Sequence, residues 1–380
     1  MGFLRIYLAL CVVASHSDAV LPWQMHSGRQ AVQLFFLISG FYIELILSGK
    51  YHDIRSFYKG RALRIFMPLG IITAGICLLS LATHLIFDDW LSLSAFFNDP
   101  LSRNGLAGIV FATLSNITVF GQDWVMLLKH DAGQSLSLVR TFGDSASPLY
   151  QYLIIPPAWS IAIELSFYLL APFLHRLRTS HLILVAATSL ALRFAGAHLL
   201  GLSQQPWNYR FFPFEVAHFV YGMLAFRFYR HYRDILPAKL RLRGRASYVL
   251  FVASALAFLW AQRKLSNALG ALFGSEYSAV AIMIAWIPLI AILFALLEKH
   301  AFDRLIGELS YPIYLIHIAI IALIGLFSRE MMLPPIPLGA VAALASVIAA
   351  FALHQLCLRR LEEWRQRRLA AMPAVAANPA

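Results

Sequence analysis

Arg5 and His16 are the first residues of the chain whose types and spacing suggest chemistry. Eleven positions at 100° per residue return to within about 20° of the same helix face, with about 16 Å between them along the axis. A helix built this way can present a cation near one end of an internal cavity and an imidazole near the other. The imidazole suits general-base catalysis and the guanidinium suits anion binding. Glu164 lies six residues into an apolar run that begins at Ala158, about 9 Å below its start. At that depth it is expected to meet His16. Arg61 and Arg64 are three apart in Tyr58-Lys59-Gly60-Arg61-Ala62-Leu63-Arg64, so they share a helix face beside an apolar run starting at Ile65. Paired guanidiniums suit phosphate through bidentate hydrogen bonds. His317 is mid-run in Ser310-Tyr311-Pro312-Ile313-Tyr314-Leu315-Ile316-His317. Each of these residues also has a structural reading: Arg5, Arg61 and Arg64 as anchors at a lipid surface, His16 as a packed core histidine. Glu44, Glu215 and His218 are weaker cases, explicable by pairing inside a helix bundle.

These residues must be positioned by helices. The 380 residues are 60% hydrophobic and 13% charged, with a mean hydropathy of +0.68, which is too apolar for a soluble domain. Ten stretches are long enough to cross about 30 Å of hydrocarbon, where only helices satisfy the backbone. They are 3–22, 30–48, 65–87, 158–174, 180–200, 211–228, 247–262, 278–297, 309–327 and 336–358. The expected fold is all-α and polytopic, with about ten transmembrane helices and one re-entrant or partial segment. Residues 1–360 form a single membrane domain, and 361–380 a cytoplasmic tail, basic and then Ala/Pro-rich, disordered from Leu369. Cys11, Cys77 and Cys357 fall inside spans and give neither a disulfide framework nor metal-ligand spacing. A cleaved signal peptide also fits Arg5, the apolar run and Ser17-Asp18-Ala19 loosely, but His16 and Asp18 are poor company for such a site.

The net charge of +12 invites a nucleic-acid reading. The distribution argues otherwise, because 21 of the 31 basic residues fall in 49–64, 175–179, 227–246, 298–308 and 358–380. These alternate loops are cytoplasmic by the positive-inside rule, with both termini inside and the chain in the cell inner membrane. Were Leu106–Gly121 to cross as well, every later basic loop would face outward. It is therefore read as re-entrant or partially inserted, and Gln122–Pro157 becomes the longest external loop, suited to recognising an acceptor.

Taken in order, these segments resemble the acyltransferase-3 family of membrane acyltransferases. Arg5 and His16 match its arginine, ten residues, histidine pattern. Val32–Phe41 (VQLFFLISGF) resembles its aromatic Ser-Gly-Phe motif, and Tyr58–Pro68 its Tyr-x-x-Arg-x-x-Arg-Ile-x-x-Pro element. Ala158–Glu164 with Phe167-Tyr168 and Pro172 is similar to its Trp-Ser-Leu-x-x-Glu segment, and Gly307–His317 to its Gly-x-x-Ser-Tyr-x-x-Tyr-Leu-x-His signature. Ala31 and Leu165-Ser166 depart from the pattern, which bears on the acceptor. The resemblance implies O-acyl transfer from cytoplasmic acetyl-CoA, or another acyl-CoA, to a hydroxyl of an extracytoplasmic or lipid-linked glycan. No cofactor or metal is then bound, and membrane lipids and glycan assembly machinery are the partners. His16, Glu164 and Arg5 would carry the chemistry, with Glu164 orienting the His16 ring and stabilising the charge that forms during transfer. Arg61 and Arg64 would hold the donor, and Ser39, Trp159, Tyr311 and His317 would line the cavity. Direct transfer and an acyl-histidine relay both fit. A secondary transporter of a small anionic or sugar-like solute is the reading from another class.

Overall fold

The computed structural model describes residues 1–49, 53–98, 105–131, 135–144, 147–233, 245–332 and 336–370. Its helices are α1 (Gly2–His16), α2 (Gly28–Leu47), α3 (Ile54–Phe87), α4 (Ser94–Asn98), α5 (Leu106–Thr118), α6 (Gln122–Val125), α7 (Trp159–His175) and α8 (Thr179–Leu199). They continue as α9 (Trp207–Arg210), α10 (Phe212–Tyr232), α11 (Arg245–Phe273), α12 (Ser275–Leu297), α13 (Ala301–Glu308), α14 (Ser310–Glu330), α15 (Leu338–Leu353) and α16 (Arg359–Ala370). Among the described residues one antiparallel strand pair, β1 (Leu128–His130) with β2 (Leu136–Leu138), sets Lys129 opposite Ser137.

Among the described residues, eight helical segments are long and apolar enough to cross a membrane. The short α1 and the more polar α10 complete the expected ten. Both can be short or polar because they are interior helices: α10 packs on α2, α8 and α12, and α1 on α2, α13 and α14. Enclosed by protein, they answer to their neighbours rather than to lipid.

Close approach at the centre depends on glycine. A Cβ on Gly40 would lie 1.9 Å from the Phe219 carbonyl oxygen, and one on Gly222 2.0 Å from that of Leu37. The glycine of the Ser-Gly-Phe motif therefore lets α2 and α10 touch backbone to backbone, as small residues do between membrane helices. Phe219 stacks between Phe36 and Phe167, with centroids at 4.6 and 4.3 Å, which ties α7 to the same contact.

Three boundaries differ from the sequence reading. α1 stops at His16 rather than 22, and α2 begins with a capping box in which Ser27 and Gln30 bond each other's backbone N–H. α3 starts eleven residues early, at Ile54, where Asp53 accepts from the Ser56 N–H at 2.7 Å. α11 runs on to Phe273 through a polar stretch that hydropathy alone does not extend. The 13 residues of α5 rise about 20 Å, short of a full crossing as the 15 of α1 are, but only Gly108, Ala112 and Ser115 are buried, so α5 lacks the protein enclosure that α1 has. Asn116 fastens α5 to the following connection by donating to Tyr152 O (2.7 Å) and accepting from Ile154 N–H (3.0 Å). The loop Gln122–Pro157 is largely folded, holding α6, the strand pair and 3-10 turns. Leu369 and Ala370 are helical in α16, and the remainder of the tail expected to be disordered, 371–380, lies outside the described residues.

Candidate active site

α1 is held at both ends. At its start the backbone N–H groups of Gly2 and Phe3 donate to Asp303 of α13, at 2.6 and 2.9 Å. At its end His16 meets His317 of α14, with His317 Nε2 3.3 Å from His16 Nδ1. The carbonyls around this pair set the tautomers. His317 Nδ1 is 2.7 Å from Tyr314 O and must donate to it, so its Nε2 carries a lone pair. His16 Nδ1 is 2.9 Å from Val12 O and likewise carries the hydrogen, shared with His317 Nε2. In neutral His16 the basic atom is therefore Nε2. His16 lines a cavity of about 1110 Å³, while His317 is fully buried one layer behind it and does not line that space. A proton taken by Nε2 leaves an imidazolium whose Nδ1–H already faces two acceptors.

Glu164 is not the partner of His16. Its Oε1 accepts from Ser39 Oγ and from Tyr168 Oη, the latter at 2.5 Å. It faces a second cavity of about 420 Å³, shared with Arg5, Arg61, Arg64, Arg304, Ser39 and Tyr311. α7 turns this carboxylate toward a different cavity from the one His16 lines, and no spacing argument within one helix supplies that rotation. Arg61 is 5% exposed and its Nε has no hydrogen-bond partner. Arg5 thus joins the pair from α3 across the bundle, and His16 alone of the residues expected to do chemistry faces the larger cavity.

The two cavities abut. Val32 and Tyr314 line both. The Tyr314 hydroxyl is 2.8 Å from Ser160 Oγ and 3.1 Å from Pro157 O, which pins α14 to the start of α7 at the dividing wall. Trp159 lines the larger side, edge-on to Tyr209 with centroids 5.3 Å apart. The weaker candidates pair inside the bundle. Glu44 accepts from Arg227 Nε (2.8 Å) and lies 2.9 Å from His175 Nδ1, and Glu215 meets Arg193, Gln33 and His218. Arg210, which the sequence reading passed over as a loop cation, lies on the larger cavity among Phe142, Trp159 and Tyr209. Its signal was the run Trp207-Asn208-Tyr209-Arg210 just before a span.

Outside the spans, burial pushes the Asp123 carboxyl up to about 6, and the Thr141 hydroxyl and backbone hold that of Asp144 below its ordinary range. Among the described residues no cluster of His, Cys, Asp and Glu could hold a metal ion.

A family model described as an acyltransferase domain matches residues 1–355. No curated protein and no solved structure matches the chain.

Proposed function

The chain belongs to the acyltransferase-3 family of membrane acyltransferases, and from that premise we propose that it carries an acetyl or similar acyl group from cytoplasmic acyl-CoA to a glycan hydroxyl on the opposite side of the inner membrane. The observation that carries this reading is the pair of abutting cavities, one lined by Arg5, Arg61, Arg64 and Arg304, the other by His16. The arginines suit the phosphates of a CoA donor, and the smaller cavity suits a narrow acyl-bearing arm. The larger cavity, with Trp159, Tyr150, Tyr209 and the amides of Asn98, Gln151 and Gln205, suits a saccharide.

In direct transfer His16 Nε2 takes the proton of the acceptor hydroxyl as its oxygen attacks the thioester carbonyl carbon. The tetrahedral intermediate expels the CoA thiolate, which recovers the proton from His16. One C–O bond forms, one C–S bond breaks, and the products are ester and free CoA thiol. His317 and the Val12 carbonyl hold His16 in the required tautomer and share the charge that forms, the part that sequence reasoning gave to Glu164. For donor and acceptor to meet, the acyl arm must pass the wall at Tyr314 and Ser160.

The test is release of free CoA thiol by the purified chain given acetyl-CoA and glycan extracted from its own cells. Release should require both, and His16→Gln, which bonds but takes no proton, should lose at least about a hundredfold at equal membrane abundance. Substantial acylation by His16→Gln removes His16 from the chemistry. Uptake of a solute without acetyl-CoA consumption favours the transporter.

A further inference from the structure

We propose that Arg210 is the binding site for an acidic group, a carboxylate or a phosphate, on the acceptor, so that this chain acylates anionic rather than neutral glycans. The proposal rests on reading the His16 cavity as the acceptor side. Arg210 is 7% exposed and sits in an aromatic box, its guanidinium carbon 4.2 Å from the Tyr209 ring centroid, 4.7 Å from that of Phe142 and 4.9 Å from that of Trp159. Ring contacts of this kind fix the faces of a guanidinium and leave its in-plane N–H edges to find acceptors. Among the described residues only one is provided: Nη1 donates to Gln205 Oε1 at 3.0 Å. Nε is buried without a partner, and Nη2 has no acceptor among the described residues. The Nε and Nη2 edge is the one that takes a carboxylate or phosphate side-on, through two parallel hydrogen bonds.

The other arginine on this cavity sets the contrast. Arg29 is neutralised, with both terminal nitrogens 2.7 Å from the Glu276 carboxylate. Arg210 has no carboxylate partner among the described residues, and the described residues lining the cavity include neither Asp nor Glu. A cation kept from water and left without a counter-charge is costly unless an anion arrives. Arg210 and His16 line the same cavity, which puts a bound anion in the space where the acceptor hydroxyl reacts. A purely structural arginine in this box would need no free edge.

The test is equilibrium binding to the purified full chain, without acyl donor, of three probes: a glucuronic-acid disaccharide, its carboxyl-reduced counterpart and glucose 1-phosphate. At least one acidic probe should bind ten- to a hundredfold more tightly than the neutral disaccharide, as expected for a charge-assisted pair in a shielded site. Preference for the glucuronide alone assigns the carboxylate, and preference for the sugar phosphate alone assigns the phosphate. Arg210→Gln should bring the ratio to within about twofold of one. Arg210→Lys, which keeps charge and much of the volume, should leave an intermediate ratio because it loses the bidentate edge, and it decides the matter if the glutamine variant does not fold. Equal binding of all three probes overturns the proposal, as does an acid preference that survives in both variants. Because no turnover enters, these failures are distinct from failure of the acyltransferase reading, which would appear as absent CoA release.

Discussion

The two cavities share a wall and share helices, yet they are built from different residue types. α1 contributes Arg5 to one and His16 to the other, α7 contributes Glu164 to one and Trp159 to the other, and Tyr314 of α14 borders both. The smaller, at about 420 Å³, gathers four arginines, with Glu164, Glu308 and Glu362 among them. The larger, at about 1110 Å³, has aromatic rings, amides and, among the described residues, no carboxylate. The contrast follows the ligands proposed for each. One donor with fixed phosphates calls for several point charges in a narrow space, whereas a saccharide calls for flat apolar faces and scattered hydrogen-bond partners. Polar side chains that would be costly in lipid are tolerated because both spaces lie inside the bundle.

Substitutions should affect the two sides separately. The largest effect is expected on the arginine side. Arg61→Ala with Arg64→Ala should raise the KM for acetyl-CoA by at least about a hundredfold while the acceptor KM stays within a few-fold, since two charge-assisted contacts are lost. Lysine at both positions should recover only part, and steady-state titration of each substrate shows which KM moves. If both KM values rise together, the cavities are not functionally separate. Behind His16, His317→Gln should lower kcat about tenfold with little change in either KM, because the amide still meets Tyr314 O and the His16 N–H but shares charge poorly. A normal kcat would reduce His317 to packing.

The smallest effect concerns the rim of the larger cavity. Asp123 lies in α6, one turn before Met126, which lines that cavity. With its carboxyl raised by burial to about 6, this group favours folding most below its unfolded value of about 4, and the contribution is lost as pH rises toward 6. Asp123→Asn should therefore stabilise the protein at pH 7.5 by about 3 kcal/mol, seen as a higher melting temperature, with the gap closing near pH 4. A gap independent of pH would contradict the burial of that carboxylate.

Much of this arrangement was legible in the sequence. Apolar length set the spans, and the Arg5–His16 interval set a helix with a group at each end, because both are local properties of one helix. The glycines of two motifs were legible only as motif letters. Gly40 admits the Phe219 backbone, and Gly307 lies 2.7 Å, measured from an added Cβ, from the Gly2 Cα. What stayed hidden depends on rotation and on distant pairing. His16 and His317 are 301 positions apart, and nothing in either helix marks the other as its partner. Glu164 lines the other cavity from His16, a difference of helix rotation that its position in the sequence does not show. Arg210 looked like any basic residue in an external loop until the fold surrounded it with three rings.

The central claim is that donor and acceptor reach His16 from opposite sides of the membrane. It is tested most directly with sealed vesicles holding the reconstituted chain, the Arg61–Arg64 face outward and glycan acceptor trapped in the lumen. Membrane-impermeant acetyl-CoA is added outside, and acyl groups on the lumenal glycan are measured against free CoA thiol in the medium. One acyl group should appear inside for each thiol released outside, and His16→Gln should abolish both. Acylation only when acceptor and acetyl-CoA are supplied on the same side would contradict it.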